Sequence, residues 1–274
     1  YTTRDVTSTV DSVDLITASI ISKKLASGIN NLILDVKVGR GALMPDITQA
    51  KKLAQSLVSV ANASNCETKA LITNMDDPLS SSIGNSLEVA TVVETLLGKN
   101  KNEQALIDIT IALSVELYSM VYPGISNSEI KNKVYSLLDS GHVAERFEKM
   151  VAALGGPRDF LSTYKTVLPK TQSIIPVKAK KEGYVTKINT KALGNILIKL
   201  GGGRQKASDK LNLSVGFTKV VKSNQKVNAN KALLMLHCPK KFLSPSLEEE
   251  ISNCFSISEN EPALSRNPII EKVV

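Results

Sequence analysis

Residues 29–98 alternate strand and helix patterns, and this order constrains the fold more than any other feature of the chain. The apolar segments 32–38 and 70–73 are the strand candidates. Asp46 and Asn85 follow them and supply side chains that can cap the next helix. A strand–helix–strand–helix order is typical of a parallel α/β sheet. Functional loops are then expected at the carboxyl ends of the strands.

After residue 98 the predicted secondary structure changes twice along the chain. Helical patterns dominate residues 103–154, and short alternating segments follow from residue 174, with one helix near 190–200. Beyond Pro239 the weak periodicity predicts one loose helix and a frayed end. We predict an α/β fold with a helical lobe, in which a mostly parallel sheet is flanked by helices, plus a C-terminal α+β domain. The predicted domains are 1–28 in the helical lobe, 29–170 as the α/β domain and 171–274 as the C-terminal domain with a loose tail.

Composition narrows the class of protein. The chain has 274 residues, of which 42% are hydrophobic, enough for two cores. The most apolar stretch, 105–113, contains Asp108 and is followed by Glu116, which predicts a buried helix and no membrane span. The first residue is Tyr1 rather than Met, so the natural N-terminus is expected to lie upstream. Three cysteines without ligand spacing argue against disulfides and zinc and favour a reducing cytoplasm.

The net charge of +8 raises the question of a nucleic-acid partner. Aromatic residues make up only 4% of the chain, tryptophan is absent and the lysines are dispersed. A stacking platform for bases is therefore hard to assemble, and we expect no nucleic-acid partner. The charge is expected on the solvated surface, where it helps to attract anions such as phosphate.

The first 25 residues carry three polar side chains that can converge on one ligand: Arg4, Ser19 and Lys23. Apolar residues around them recur at three- and four-residue steps, which predicts a helix capped by Asp11 or Ser12 and closed by Gly28. Ser19 and Lys23 then lie one turn apart on one face. From spacing alone, an amphipathic helix with a solvated lysine is the simpler alternative.

These segments resemble the thymidine phosphorylase and pyrimidine-nucleoside phosphorylase family. Residues 4–12 spell R-D-V-T-S-T-V-D-S and residues 16–25 spell I-T-A-S-I-I-S-K-K-L. The likeness continues through residues 34–45, 76–89, 201–204 and 214–217. It implies that Arg4, Ser19 and Lys23 hold the pyrimidine base and that Arg4 and Lys23 take part in catalysis. It also implies that Ile16 and Leu43 form apolar walls, although ordinary core packing is an equal alternative for both.

The resemblance implies phosphorolysis of thymidine, or of another pyrimidine nucleoside, to the free base and (deoxy)ribose 1-phosphate. No cofactor is expected. The resemblance also implies a cytoplasmic homodimer that pairs through the lobe containing residues 1–28. The family's phosphate site lies mainly upstream of the matched motifs. These 274 residues alone are therefore expected to be inactive, unless a cluster such as Arg40 with Lys37 binds phosphate instead.

A potassium site occurs in some relatives at the segment matching Leu79 to Thr91. Leu79 and Ser82 match two positions whose backbone carbonyls bind the ion, but Thr91 stands where a glutamate ligand would be. Loss of this charged oxygen argues against an ion, and we expect no metal in this chain. His142 and His237 have no nearby nucleophile or acid in sequence and are expected to be structural.

Three alternatives remain beside the phosphorylase. One is a phosphoribosyltransferase-like relative, against which the segment Ser214-Val215-Gly216-Phe217 argues. Another is a catalytically incomplete piece that only binds the base or contacts another subunit. The third treats residues 174–238 as a biotinyl-like carrier module, although no Met-Lys-Met hairpin is present.

Overall fold

The computed structural model describes residues 12–100, 102–206, 208–262 and 267–274. Arg4 and Asp11 lie outside the described residues. The described chain divides into two compact units. Residues 12–76, 107–135 and 267–274 form the first unit, and the remaining described residues form the second. The contiguous domain boundaries expected from the sequence stay a prediction.

The secondary-structure elements are numbered in chain order. Residues 13–167 contain α1 (Val13–Ala26), β1 (Asn31–Val38), α2 (Ile47–Ala63), β2 (Glu67–Asn74), α3 (Asn85–Leu96), α4 (Gln104–Val121), α5 (Asn127–Asp139), α6 (His142–Ala153) and α7 (Phe160–Val167). The C-terminal half contains β3 (Ser173–Lys178), β4 (Gly183–Ile188), α8 (Thr190–Lys199), β5 (Gly216–Thr218), β6 (Lys226–Val227), β7 (Ala232–Cys238), α9 (Pro245–Ser252), β8 (Phe255–Ser258) and β9 (Ile269–Val273).

In the first unit α2 packs on a three-stranded sheet of order β1-β2-β9. Asp46 caps α2 by accepting a hydrogen bond from the backbone N–H of Gln49 at 2.9 Å, as the sequence predicted. The buried face of α2 combines small and branched residues at helical spacing, which lets the helix lie close to the strands. These residues are Ala50, Leu53, Ala54, Leu57, Val58 and Ala61.

The second unit holds two three-stranded sheets, of order β3-β7-β5 and β6-β4-β8. Buried residues from both sheets and from α8 form one hydrophobic cluster, including Val185, Leu193, Phe217 and Leu234. A smaller cluster joins α3 and α7 through Val93, Phe160 and Tyr164. The C-terminal α+β character expected from the alternating pattern is therefore present.

The expectation of a mostly parallel sheet was wrong. Only the pair β1–β2 is parallel among the strand pairs of the described residues, and the others are antiparallel. Parallel neighbours require a crossover connection, which α2 supplies once. Helix α8 connects β4 to β5, but these strands belong to different sheets and therefore do not form a parallel pair.

Two C-terminal strands stand where the sequence predicted a frayed end. Strand β8 pairs with β4, and β9 pairs with β2 across the edge opposite β1. Lys51 on α2 also forms an ion pair with Glu271 of β9, with 2.6 Å between Nζ and Oε2. The last residues therefore belong to the sheet of the first unit.

Helix α4 is more exposed than the buried helix that the sequence predicted. It has 18 residues and a mean hydropathy of 1.4, and only 22% of it is buried. By length and composition it is the one helix of the described residues apolar enough to cross a bilayer. A single such helix is weak evidence for a membrane, because helices of soluble proteins can meet the same criterion.

Candidate active site

Helix α1 carries two of the predicted base-binding residues. It begins after Ser12, whose hydroxyl accepts from the backbone N–H of Leu15 at 3.4 Å, and Gly28 follows its end with a φ of +70°. The hydroxyl groups of Thr17 and Ser56 are 2.9 Å apart and link α1 to α2. This hydrogen bond and the contacts between the two helices hold α1 against α2.

Ile16, Ser19 and Lys23 lie along one stripe of α1, because steps of three and four residues return to the same side of a helix. Ile16 is only 5% exposed and packs in the core, Ser19 is half-buried and Lys23 is exposed. The Lys23 ammonium donates to the Ser19 hydroxyl oxygen, with 3.2 Å between Nζ and Oγ. This stripe therefore runs from core to surface and ends in a bonded hydroxyl–ammonium pair.

Leu43 lies on the loop that follows β1 and is 60% exposed. The loop turns tightly at Gly39, which has a φ of +125°. A Cβ atom there would lie 2.8 Å from the Asp76 carboxylate, which itself accepts from the backbone N–H of Arg40 at 3.0 Å. The start of this loop is therefore fixed by contacts with Asp76, while the Leu43 side chain is exposed to solvent.

A cleft of about 530 Å³ opens at the carboxyl ends of β1 and β2, within the first unit. Its polar lining includes Asn74 and Asp76, joined by a 2.7 Å hydrogen bond from the Asp76 backbone N–H to Asn74 Oδ1. The other lining residues are Val38, Gly39, Pro45, Ile47, Asn267, Ile269 and Ile270. A cleft at this edge agrees with the expectation that functional loops follow the parallel strands.

Lys37 and Arg40, the alternative phosphate cluster, each face a carboxylate. Lys37 Nζ lies 2.6 Å from Asp35 Oδ2 and also donates to Thr73 Oγ1 at 2.9 Å. Arg40 Nε lies 3.7 Å from Asp76 Oδ1. Lys37 is therefore closely paired, whereas Arg40 Nε is buried and has no hydrogen-bond partner among the described residues.

Two groups of the segment matched to a potassium site, the Thr91 hydroxyl and the Leu79 carbonyl, are hydrogen-bonded to other protein groups in the second unit. The buried Thr91 hydroxyl donates to Ser82 Oγ at 2.7 Å and also lies 3.1 Å from the Leu87 carbonyl. The Leu79 carbonyl accepts from the ammonium of Lys222 at 3.0 Å. Sequence analysis missed Lys222 because it lies 143 residues from Leu79 and belongs to no motif. Among the described residues, no group of three His, Cys, Asp or Glu side chains is arranged to hold a metal.

Each histidine makes a hydrogen bond to a hydroxyl group. His237 Nε2 lies 2.8 Å from the Thr218 hydroxyl across the β5–β7 pair, and burial lowers its pKa. His142 Nδ1 lies 2.7 Å from the hydroxyl of Ser140, just before α6. Neither bond joins the histidine to a carboxylate or a cysteine.

Comparison with known families identifies the class of protein. Residues 1–144 match the family described as "Glycosyl transferase family, a/b domain". This match covers more than half of the chain, including α1, the β1–β2 sheet and the loops at its carboxyl edge. The fold and the candidate site therefore lie on a glycosyl transferase scaffold.

Residues 184–258 match the family described as "Pyrimidine nucleoside phosphorylase C-terminal domain". The chain therefore belongs to the thymidine and pyrimidine-nucleoside phosphorylase family. Its function is of the nucleoside phosphorylase, pentosyl-transferring type, and nucleoside and phosphate are the substrates that the family implies. The roles of the individual site residues stay predictions.

Proposed function

We propose that this chain binds the pyrimidine base of a nucleoside through Arg4, Ser19 and Lys23, in an enzyme that prefers thymidine. The proposal depends chiefly on the 3.2 Å hydrogen bond between the Lys23 ammonium and the Ser19 hydroxyl on one stripe of α1. The bond holds a cation and a hydroxyl together on a helix whose position is fixed by its cap and by Thr17. Arg4 is included only because it matches the family motif, since it lies outside the described residues.

The reaction defines what these groups must do. A phosphate oxygen attacks C1′ of the sugar, the C1′–O bond forms, and the C1′–N1 bond breaks with its electron pair remaining on the base. Negative charge then grows on the carbonyl oxygens and the ring nitrogen. Lysine and arginine side chains are cationic at neutral pH and donate hydrogen bonds to such oxygens. Their interaction strengthens as the charge develops, which lowers the barrier.

Ser19 has a different role, because its hydroxyl is neutral. Its oxygen accepts from Lys23, and its own O–H can donate to a carbonyl of the base. It therefore orients the ring without stabilising much charge. We expect Ser19→Ala to weaken binding of the base less than loss of either cation.

Calorimetric titration of the chain with thymine tests the base-binding role. Loss of one neutral hydrogen bond corresponds to about 1 kcal/mol, so Ser19→Ala should weaken thymine binding about fivefold. Ser59→Ala is the matched control, because Ser59 is an exposed serine of α2 and does not belong to the stripe on α1. Equal affinities of both variants and the parent chain would remove Ser19 from the site.

Thymidine preference is proposed to arise at Leu43, whose exposed side chain can cover the 5-methyl group of thymine. Burying one methyl group contributes about 0.8 kcal/mol, or roughly a fourfold difference between thymine and uracil. Leu43→Ala should bring the two affinities together. Leu15→Ala, which changes another exposed leucine of the first unit, should leave their ratio unaltered.

We further propose that phosphate binds mainly through residues outside this chain. The close pairing of Lys37 with Asp35 supports this, because the Lys37 ammonium is already bound to a carboxylate and a hydroxyl. The chain by itself would then be a base-binding piece of the phosphorylase. The C-terminal family match disfavours a phosphoribosyltransferase-like activity.

A further inference from the structure

The ammonium group of Lys222 contacts the loop formed by residues 77–83, within the second unit. Lys222 Nζ donates to the carbonyl oxygen of Pro78 at 3.1 Å and to that of Leu79 at 3.0 Å. Burial lowers the pKa of Lys222 because its charge loses contact with water, and the carboxylates of Glu103 and Asp77 oppose this effect. An ammonium in this position needs acceptors, and the loop carbonyls provide them.

The same loop is fastened by both of these carboxylates. The Asp77 carboxylate accepts from the Ser223 hydroxyl at 2.6 Å and from the Ser223 backbone N–H at 3.3 Å. The fully buried Glu103 accepts from the Ser81 hydroxyl and, at 3.0 and 3.1 Å, from the Ser81 backbone N–H. Two carboxylates therefore surround a loop whose carbonyls contact one cation.

A potassium ion does not fit the groups that the family resemblance assigns to it. The carbonyl of Leu79 already accepts from an ammonium. The hydroxyl of Thr91 is used inside the segment, between Ser82 Oγ and the Leu87 carbonyl. A potassium ion and a primary ammonium carry the same charge, and both bind carbonyl oxygens. The Lys222 ammonium thus uses the Leu79 carbonyl, one of the two carbonyls that the resemblance assigns to the ion.

We propose that the Lys222 ammonium is the built-in monovalent cation of the 77–83 loop, so that this chain orders the loop without binding potassium. Because the cation is attached to the chain, its local concentration does not depend on the salt composition. The loop should therefore keep its conformation in solutions that contain no metal cation.

The first test is thermal unfolding of the unaltered chain in KCl, NaCl and choline chloride at equal ionic strength. The three melting temperatures should agree within about 1 °C, a shift that corresponds to only a few tenths of a kcal/mol for a chain of this size. A rise specific to potassium would show that the loop still binds the metal ion, and would overturn the proposal. This test needs no variant.

The second test removes the ammonium. Lys222→Ala should lower the melting temperature by about 5 °C, because two carbonyls and two carboxylates lose their cation. Lys226→Ala is the control, because Lys226 is an exposed lysine of β6 whose ammonium lies 3.8 Å from a carboxylate oxygen of Glu182. Lys222→Arg keeps the positive charge and should lose less than Lys222→Ala.

Chemical rescue separates a cation from a packing role. Methylammonium chloride should restore part of the melting temperature of Lys222→Ala and should leave Lys226→Ala unchanged relative to choline chloride. A destabilised Lys222→Ala that methylammonium does not rescue would show that the side chain acts through its aliphatic part, against the proposal. Equal melting temperatures for Lys222→Ala and Lys226→Ala would contradict it as well.

Discussion

Replacing Lys23 by glutamine tests whether this residue stabilises negative charge on the departing base. The substitution keeps a hydrogen-bond donor of similar length and removes the positive charge. Lys24→Gln is the matched control, because the next residue of a helix points about 100° away while its exposure is alike. The two variants therefore have the same net charge and the same helix composition.

The structure sets the size of the expected effect. Lys23 is exposed and its ammonium is bonded to the half-buried Ser19 hydroxyl, so solvent screens part of its charge. Hydrogen bonds to charged groups contribute about 1.5–3 kcal/mol, and the exposure favours the lower half of this range. A loss of about 2 kcal/mol corresponds to roughly a 30-fold weaker interaction with an anionic base.

The assay compares binding of uracil and 5-nitrouracil to the chain by calorimetry at neutral pH. The nitro group delocalises negative charge, so 5-nitrouracil ionises far more readily than uracil and resembles the departing base. Lys23→Gln should weaken binding of 5-nitrouracil about 30-fold and that of uracil only a few-fold. Lys24→Gln should change neither affinity by more than about twofold.

The ratio of the two affinities is the decisive quantity. If Lys23→Gln lowers both affinities equally, Lys23 binds the ring without responding to its charge, and the catalytic role is refuted. If neither affinity changes, Lys23 is a solvated lysine on an amphipathic helix. That second outcome is the simpler alternative that spacing alone allows.

Three further expectations follow from the same structure and proposals. Residues 1–274 alone should release no measurable thymine from thymidine at saturating phosphate, because a nucleophile that is not aligned reacts many orders of magnitude more slowly. Activity within tenfold of a full-length relative would place the phosphate site inside the chain. The complete enzyme should be a homodimer that pairs through the lobe of residues 1–28, and light scattering that finds a monomer at micromolar concentration would contradict this. Gly84→Ala should cost about 2 kcal/mol of unfolding free energy, because Gly84 has a φ of +129° and a Cβ there would lie 2.5 Å from the Val215 carbonyl oxygen. The helical control Gly194→Ala, with no atom within 4 Å of its Cβ, should instead stabilise by about 0.5 kcal/mol in denaturant titration.

Local signals in the sequence predicted local structure well. The Ser12 cap of α1 and the Asp46 cap of α2 are confirmed, because each needs only a side chain and a backbone N–H three residues later. For α3 the sequence indicated Asn85 as the cap, whereas Gly84 occupies that position and the Glu88 carboxylate accepts from its backbone N–H at 2.9 Å. The close approach of Val215, which requires a glycine there, is invisible to a local pattern.

Contacts between distant segments were the part that the sequence could not predict. Strand β9 is short and partly polar, and it becomes a strand only because the free edge of β2 accepts it. Lys222 is one of many dispersed lysines, and only the fold brings it to Pro78 and Leu79. The Ser19–Lys23 pair could be predicted because the helical repeat alone brings the two side chains together.

A crystal structure of the chain with thymine bound tests the central proposal most directly. A carbonyl oxygen of thymine should lie within about 3 Å of Lys23 Nζ or Ser19 Oγ, with the methyl group toward Leu43. Thymine bound elsewhere, for example in the cleft beside Asn74 and Asp76 and out of reach of Lys23, would contradict it.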